Sequence, residues 1–160
     1  LKPEGQIELS RNLQIATAAI DATGMCLFIA FAILDQPETF QALIDVINKI
    51  KANPEYTKCG MVLYHNGIVR ESSRAGEPVK SLKVHVNYPG IEKLIEEQKN
   101  RDGIVDIILE IYDEKELFPG DDVMVLAVAG DIRPNVKAVL SDTLEAIKTE
   151  LTSKDEILLD

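Results

Sequence analysis

Hydrophobic positions recur with two different periods along this chain, and the alternation between them sketches its elements. Met25 to Leu34 is almost unbroken apolar sequence, as in a strand buried on both faces. Phe40, Leu43, Ile44, Ile47 and Ile50 then follow the i, i+3, i+4, i+7 rule. That spacing predicts a helix opened by Pro37 and stopped by Asn53-Pro54. Gly60 to Arg70 reads as a strand interrupted by Asn66-Gly67, a bulge or a bend. Glu71 to Pro78 is polar, with Ser, Gly and Pro, and is expected to be a mobile loop. Val79 to Tyr88 alternates imperfectly, as a half-exposed strand does.

Further along, Gly90 is expected to start a second helix, with Ile91, Leu94 and Ile95 inward and charges outside. Val105 to Tyr112 carries Ile107, Leu109 and Ile111 on one face of a strand. Phe118-Pro119-Gly120-Asp121 has the residues a type II turn requires. Val123 to Ala129 is the most apolar strand candidate, and Pro134 opens a last helix running to about Thr149. The acidic tail, Leu151 to Asp160, shows no period and is expected to be irregular. Helices interleaved with strands, some joined by tight turns, give an α+β class. The simplest division is an N-terminal extension over residues 1–24 and a single domain over 25–160.

Charge narrows the partners. With 17 Lys and Arg against 27 Asp and Glu, the 160-residue chain carries a net charge of −10. That argues against nucleic acid as the main partner, because phosphate backbones need a basic footprint. A locally positive pocket for a small anion remains compatible with it. The apolar stretch from Ala22 to Leu34 is shorter than the roughly 20 residues a membrane span needs, and Asp21 and Asp35 bracket it. Cys26 and Cys59 have no CxxC spacing and read as buried free thiols of a reducing compartment.

Against that acidic background two arginines stand out, Arg70 and Arg133, each closing an apolar strand run. A guanidinium is a forked donor suited to phosphate or carboxylate. Lys148 lies on the final helix and Lys154 in the tail. A lysine crowded by other cations and partly desolvated can act as acid, base or nucleophile. Surface lysines near a helix C-terminus ordinarily just complement its dipole, and spacing alone favours that plainer account. His65 and His85 stand inside strands without a catalytic motif beside them and read as structural. No metal-ligand spacing and no Gly-rich phosphate loop is present, so neither metal nor cofactor is expected.

Taken in order, several short pieces resemble the large, catalytic subunit of molybdopterin synthase. Gly67-Ile68-Val69-Arg70 matches that family's Gly-x-Val-Arg strand end, and Tyr88-Pro89 its Tyr-Pro before the middle helix. Glu116 to Asp121 matches its Gly-Glu-Leu-x-x-Gly-Asp turn apart from the leading glycine, and the match continues without a gap to Lys148. The resemblance covers roughly Leu27 to Asp155.

It implies an α/β-hammerhead fold with a mixed, mainly antiparallel sheet and about three helices. It further implies a cytoplasmic homodimer within a heterotetramer, flanked by small ubiquitin-like sulfur-carrier subunits. The implied activity is sulfur transfer from the carrier's C-terminal thiocarboxylate to cyclic pyranopterin monophosphate. In that scheme Lys148 and Lys154 would be catalytic, Lys154 through a one-residue deletion, while Arg70 and Arg133 would bind the anionic substrate. The chain departs from the family in three places. A His-Arg pair is Tyr112-Asp113, a second is Ile132-Arg133, and a Pro-x-Trp-Lys segment is Leu151-Thr152-Ser153-Lys154. A catalytically degenerate homologue that binds a carrier tail or an anion without turnover therefore stands as the alternative.

Overall fold

The computed structural model describes residues 38–159. The expected strand over Met25 to Leu34, the extension over 1–24 and Cys26 lie outside them.

The predicted apolar stripe forms helix α1, Glu38–Ala52, with Val46 and Ile50 fully buried. A short 3-10 turn, Tyr56–Lys58, leads into strand β1, Met61–Ile68. Strand β2, Val79–Val86, is followed by helix α2, Tyr88–Lys99. That helix starts two residues earlier than expected, because Asn87 caps it by accepting the Gly90 N–H at 3.2 Å and Pro89 fits its first turn. Strand β3, Ile104–Ile111, the short β4, Glu116–Leu117, and β5, Asp122–Gly130, come next. Helix α3 spans Arg133–Ala146, continues as a π turn over Ile147–Leu151, and passes into β6, Thr152–Leu158.

Among the described residues all strand pairings are antiparallel, and they make two three-stranded sheets, in the orders β1-β5-β3 and β4-β2-β6. The α+β class holds, with two sheets where the sequence suggested one. β5 is central and almost wholly buried, which explains its unbroken apolar run. Leu126 and Val128 pack on one face against Val136, Val139 and Ile147; Val125, Ala127 and Ala129 pack on the other with Val46 and Ile50. A third cluster, with Val69, Val79, Leu82, Val84 and Leu117, fills the second sheet. Asp106 ties the layers together: Asn53 at the end of α1 donates to it at 2.8 Å and Lys99 on α2 pairs with it at 2.7 Å. Cys59 is a half-buried free thiol, raised in pKa by burial and then by Asp106.

Two expectations give way. Residues 152–158 are not irregular but pair with β2 from Val86↔Thr152 to Val79↔Leu158. β6 is an edge strand with most side chains exposed, so backbone pairing carries it and no hydrophobic period marks it. The loop after Arg70 is a closed turn. The buried Ser73 Oγ accepts from the N–H groups of Ala75 and Glu77 at 3.2 and 3.1 Å, and Ser72 bridges to Pro78. At 118–121 the type II turn forms as expected, with Gly120 at φ +98° and the Asp121 N–H donating to Phe118 O at 2.9 Å.

Candidate functional site: a cationic cavity between the sheets

Where β1 leaves its sheet, the register to β5 slips between Gly67 and Ile68, so the expected interruption is a bulge. Past it Val69 turns into the core and hydrogen-bonds the backbone of Asp121, while Arg70 stays exposed. A neighbouring segment supplies the facing wall. Helix α3 keeps Val136, Val139, Thr143 and Ile147 in one buried line. Its last turn widens to the π form, in which the Thr152 hydroxyl donates to Ile147 O at 2.9 Å. Ile147 is thereby held inside and Lys148, one residue on, is exposed.

The cavity enclosed between these walls measures about 480 Å³. Arg70, Arg74, Lys148 and Lys154 all line it; the remaining lining is apolar or neutral, including Gly67, Leu82, Met124, Ile147 and Ser153. No carboxylate is among the lining residues, in a chain of net charge −10. Lys154 forms an ion pair with Glu156 on its own strand, and no ion pair joins Arg70, Arg74 or Lys148 to another described residue. With three of its four cations free of an ion pair among the described residues, the group focuses a positive field and favours an anion.

Arg133 is elsewhere. It opens α3, three residues beyond the Gly130 end of β5, whereas Arg70 follows the end of β1 that pairs with Asp122. The nine residues of β5 put them at opposite ends of a strand roughly 30 Å long. The two arginines close antiparallel neighbours, so similar places in sequence point in opposite directions. Arg74 is the residue the sequence did not single out. Its only signal was a cation in a Ser- and Gly-containing loop, and the Ser73 turn is what aims that loop at the cavity.

On β2, whose Leu82 and Val84 line the cavity, the adjacent His85, on the alternate face, has its ring bracketed by Glu114 and Asp155, at 2.7 Å from Nδ1 and 3.0 Å from Nε2, and Lys83 reaches Glu114 at 2.7 Å. The hydrogen bonds to Asp155 and then Glu114 raise the His85 pKa above the usual 6.5. Tyr88 hydrogen-bonds Asp113, which raises its phenol pKa. His65 behaves oppositely: burial, then the charge of Lys148, lowers its pKa. Among the described residues no cluster of three or more His, Cys, Asp or Glu is placed to hold a metal ion, and no helix is long and apolar enough to cross a membrane.

Residues 39–150 match the family model described as MoaE protein. No curated protein matches the chain in sequence. Among solved structures, the chain is similar to the molybdopterin biosynthesis MoaE protein of Burkholderia ambifaria at 21% identity, with 74% of this chain and 82% of that one covered and a TM-score of 0.58. Molybdopterin synthase from Staphylococcus aureus gives 20% identity, coverages of 64% and 77%, and a TM-score of 0.56. The complex of subunits 1 and 2 of the molybdopterin-converting factor of Helicobacter pylori gives 16% identity, coverages of 76% and 80%, and a TM-score of 0.59.

Proposed function

The chain belongs to the MoaE protein family, the large subunits of molybdopterin synthase, and with that as premise we propose that it transfers sulfur from a carrier-protein thiocarboxylate to cyclic pyranopterin monophosphate. Family membership gives its role in molybdenum cofactor biosynthesis. The observation that carries the finer reading is the cavity of four cations and no acid, in which Lys148 and Lys154 meet Arg70.

In this scheme the carrier's C-terminal tail and the pterin phosphate are both anionic, and both are drawn to the cavity by Arg70 and Arg74. The thiocarboxylate sulfur bonds to a side-chain carbon of the pterin as the oxygen substituent on that carbon leaves. Water then attacks the acyl carbon, the acyl–sulfur bond breaks, the carrier is released as its carboxylate, and the sulfur stays on the pterin as a thiolate. Two rounds give the dithiolene. Lys148 assists by proton transfer or by trapping the acyl group, and Lys154 supports it from β6. These groups come from the chain itself, and the reaction takes place in the cytoplasm. The solved two-subunit converting factor supports a small, ubiquitin-like sulfur-carrier partner.

Arg133, at the far end of β5, serves the cavity of the second protomer of a homodimer. Mixing tests this. Arg133→Ala chains and Lys148→Ala chains are each inactive, and their hybrid dimers recover one working cavity; absence of recovery refutes the trans assignment. The central test is Lys148→Ala, which folds normally and forms no dithiolene with thiocarboxylated carrier and pterin precursor. Product formation by that variant overturns the catalytic role. Tyr112-Asp113, in place of a positive pair, favours a second reading, a binding homologue without turnover. Capture of a Gly-Gly-ended carrier without any conversion of the precursor would support it, and conversion would exclude it.

A further inference from the structure

One titratable group beside the cavity has no role in that scheme. His65 is on β1 with its Nε2 shielded from solvent and without a hydrogen-bond partner among the described residues. Its neighbours on that face of the strand are Met61, Leu63 and Gly67, and the paired residue on β5 is Leu126. The first two pack into the core beneath α3, so an imidazole interrupts an otherwise apolar stripe. Buried polar nitrogens ordinarily find a partner, and one left over calls for an explanation.

Gly67 lies between this nitrogen and the cavity. A Cβ at residue 67 would stand 3.7 Å from His65 Nε2 and 3.2 Å from Met124 Cγ, and both Gly67 and Met124 line the cavity. A glycine here places no side chain of its own between the imidazole and the cavity. Lys148 is the charged group whose field reaches His65; Arg70, Arg74 and Lys154 line the cavity beyond Gly67. Partly buried, and facing the charge of Lys148, the ring favours its neutral form, and a neutral imidazole offers one nitrogen as an acceptor. Lys148, exposed on its π turn, has a four-carbon stem and three donors to meet it.

We propose that His65 is a positioning residue: its unpartnered Nε2 accepts a hydrogen bond from the Lys148 ammonium and holds that group over Gly67, at the floor of the cavity. Its value to sulfur transfer rests on the reading of Lys148 as the catalytic lysine, whereas the contact itself does not. The amine is thereby kept from wandering into solvent while the anionic substrates are absent.

The experiment needs neither carrier nor pterin. Nitrogen-15 NMR of the His65 ring in the whole chain is expected to show Nδ1–H and an unprotonated Nε2 at pH 7.5, with the Nε2 resonance moving when Lys148→Met is introduced. In parallel, competitive acetylation of Lys148 is followed by mass spectrometry at a single pH. His65→Leu, which releases the amine from its acceptor, is expected to raise the labelling rate roughly twofold or more, and His65→Gln, whose amide oxygen can accept, to restore part of the protection. An Nε2 resonance indifferent to Lys148→Met, or identical labelling rates for wild type and His65→Leu, overturns the proposal. Should those changes appear while Lys148→Ala still forms dithiolene, the contact stands and the catalytic reading of Lys148 falls. Should His65→Leu fail to fold, the Lys148→Met spectrum decides alone.

Discussion

Ile147 links the core to the cavity, and its truncation tests whether burial there fixes the π turn. It is 1% exposed and packs with Leu126, Val128, Val136 and Val139. Ile147→Ala deletes three carbons, worth about 0.8 kcal/mol each in transfer, or ~2.4 kcal/mol. The unfilled space adds to that, for a total of about 3–4 kcal/mol. Ile147→Val deletes one carbon and should cost about 1 kcal/mol. For a chain of 160 residues, about 3 °C of melting temperature accompanies each kcal/mol. The expected losses are therefore about 10 °C and about 3 °C, in a ratio near three to one, by calorimetry or circular dichroism. Amide exchange should rise first at residues 148–152, because the Thr152 hydroxyl loses its fixed acceptor at Ile147 O. An Ile147→Ala protein melting within about 2 °C of wild type would refute the packing argument.

Three other outcomes follow from the same geometry. His85 has a folded-state pKa above its unfolded value, so its contribution is complete below the unfolded pKa of about 6.5 and is lost as pH rises through the folded one. Melting temperature should accordingly fall on going from pH 6 to pH 9, and His85→Gln should flatten that slope; an unchanged slope would count against the bracket. Burial of Asp106 would raise its pKa, but Lys99, Asn53 and the Ile107 N–H outweigh this and hold it below the usual carboxylate value. Its stabilisation is present at neutral pH and lost as pH falls through the depressed pKa, and Asp106→Ala should cost about 1.5–3 kcal/mol at pH 7 by urea titration. Arg70→Ala and Arg74→Ala should each weaken inorganic pyrophosphate binding by about 1.5–3 kcal/mol, read by calorimetric titration. Equal affinity in wild type and both variants would mean that the cavity is not the anion site.

What could be read ahead of the structure follows from where the information resides. α1 and β5 were legible because burial imposes a period or an unbroken run on their own residues. β6 was not, since its order comes from the backbone of β2 and its side chains face water. Arg70 and Lys148 could be singled out as cations near element ends, but their meeting depends on how two sheets and a helix end are arranged. Arg133 shows the converse. A strand-terminal arginine looks the same in sequence whether its strand runs with or against the next, and here β1 and β5 run in opposite directions. Arg74 depended on a serine-organised turn whose composition resembled that of a mobile loop.

The passage from α3 to β6 has one further consequence. Lys148 and Lys154 belong to a single seven-residue stretch that changes from helical to extended within one residue, at Thr152. A five-residue hydrogen-bonded loop holds one residue more than an ordinary helical turn does, so the stretch has a spare position. Removing a residue such as Glu150 could tighten that loop to the common form without unthreading the strand beyond it. A one-residue change of spacing between the two lysines would thus be absorbed by the loop, while the pairing of Lys154 with Val84 keeps the second lysine in its place.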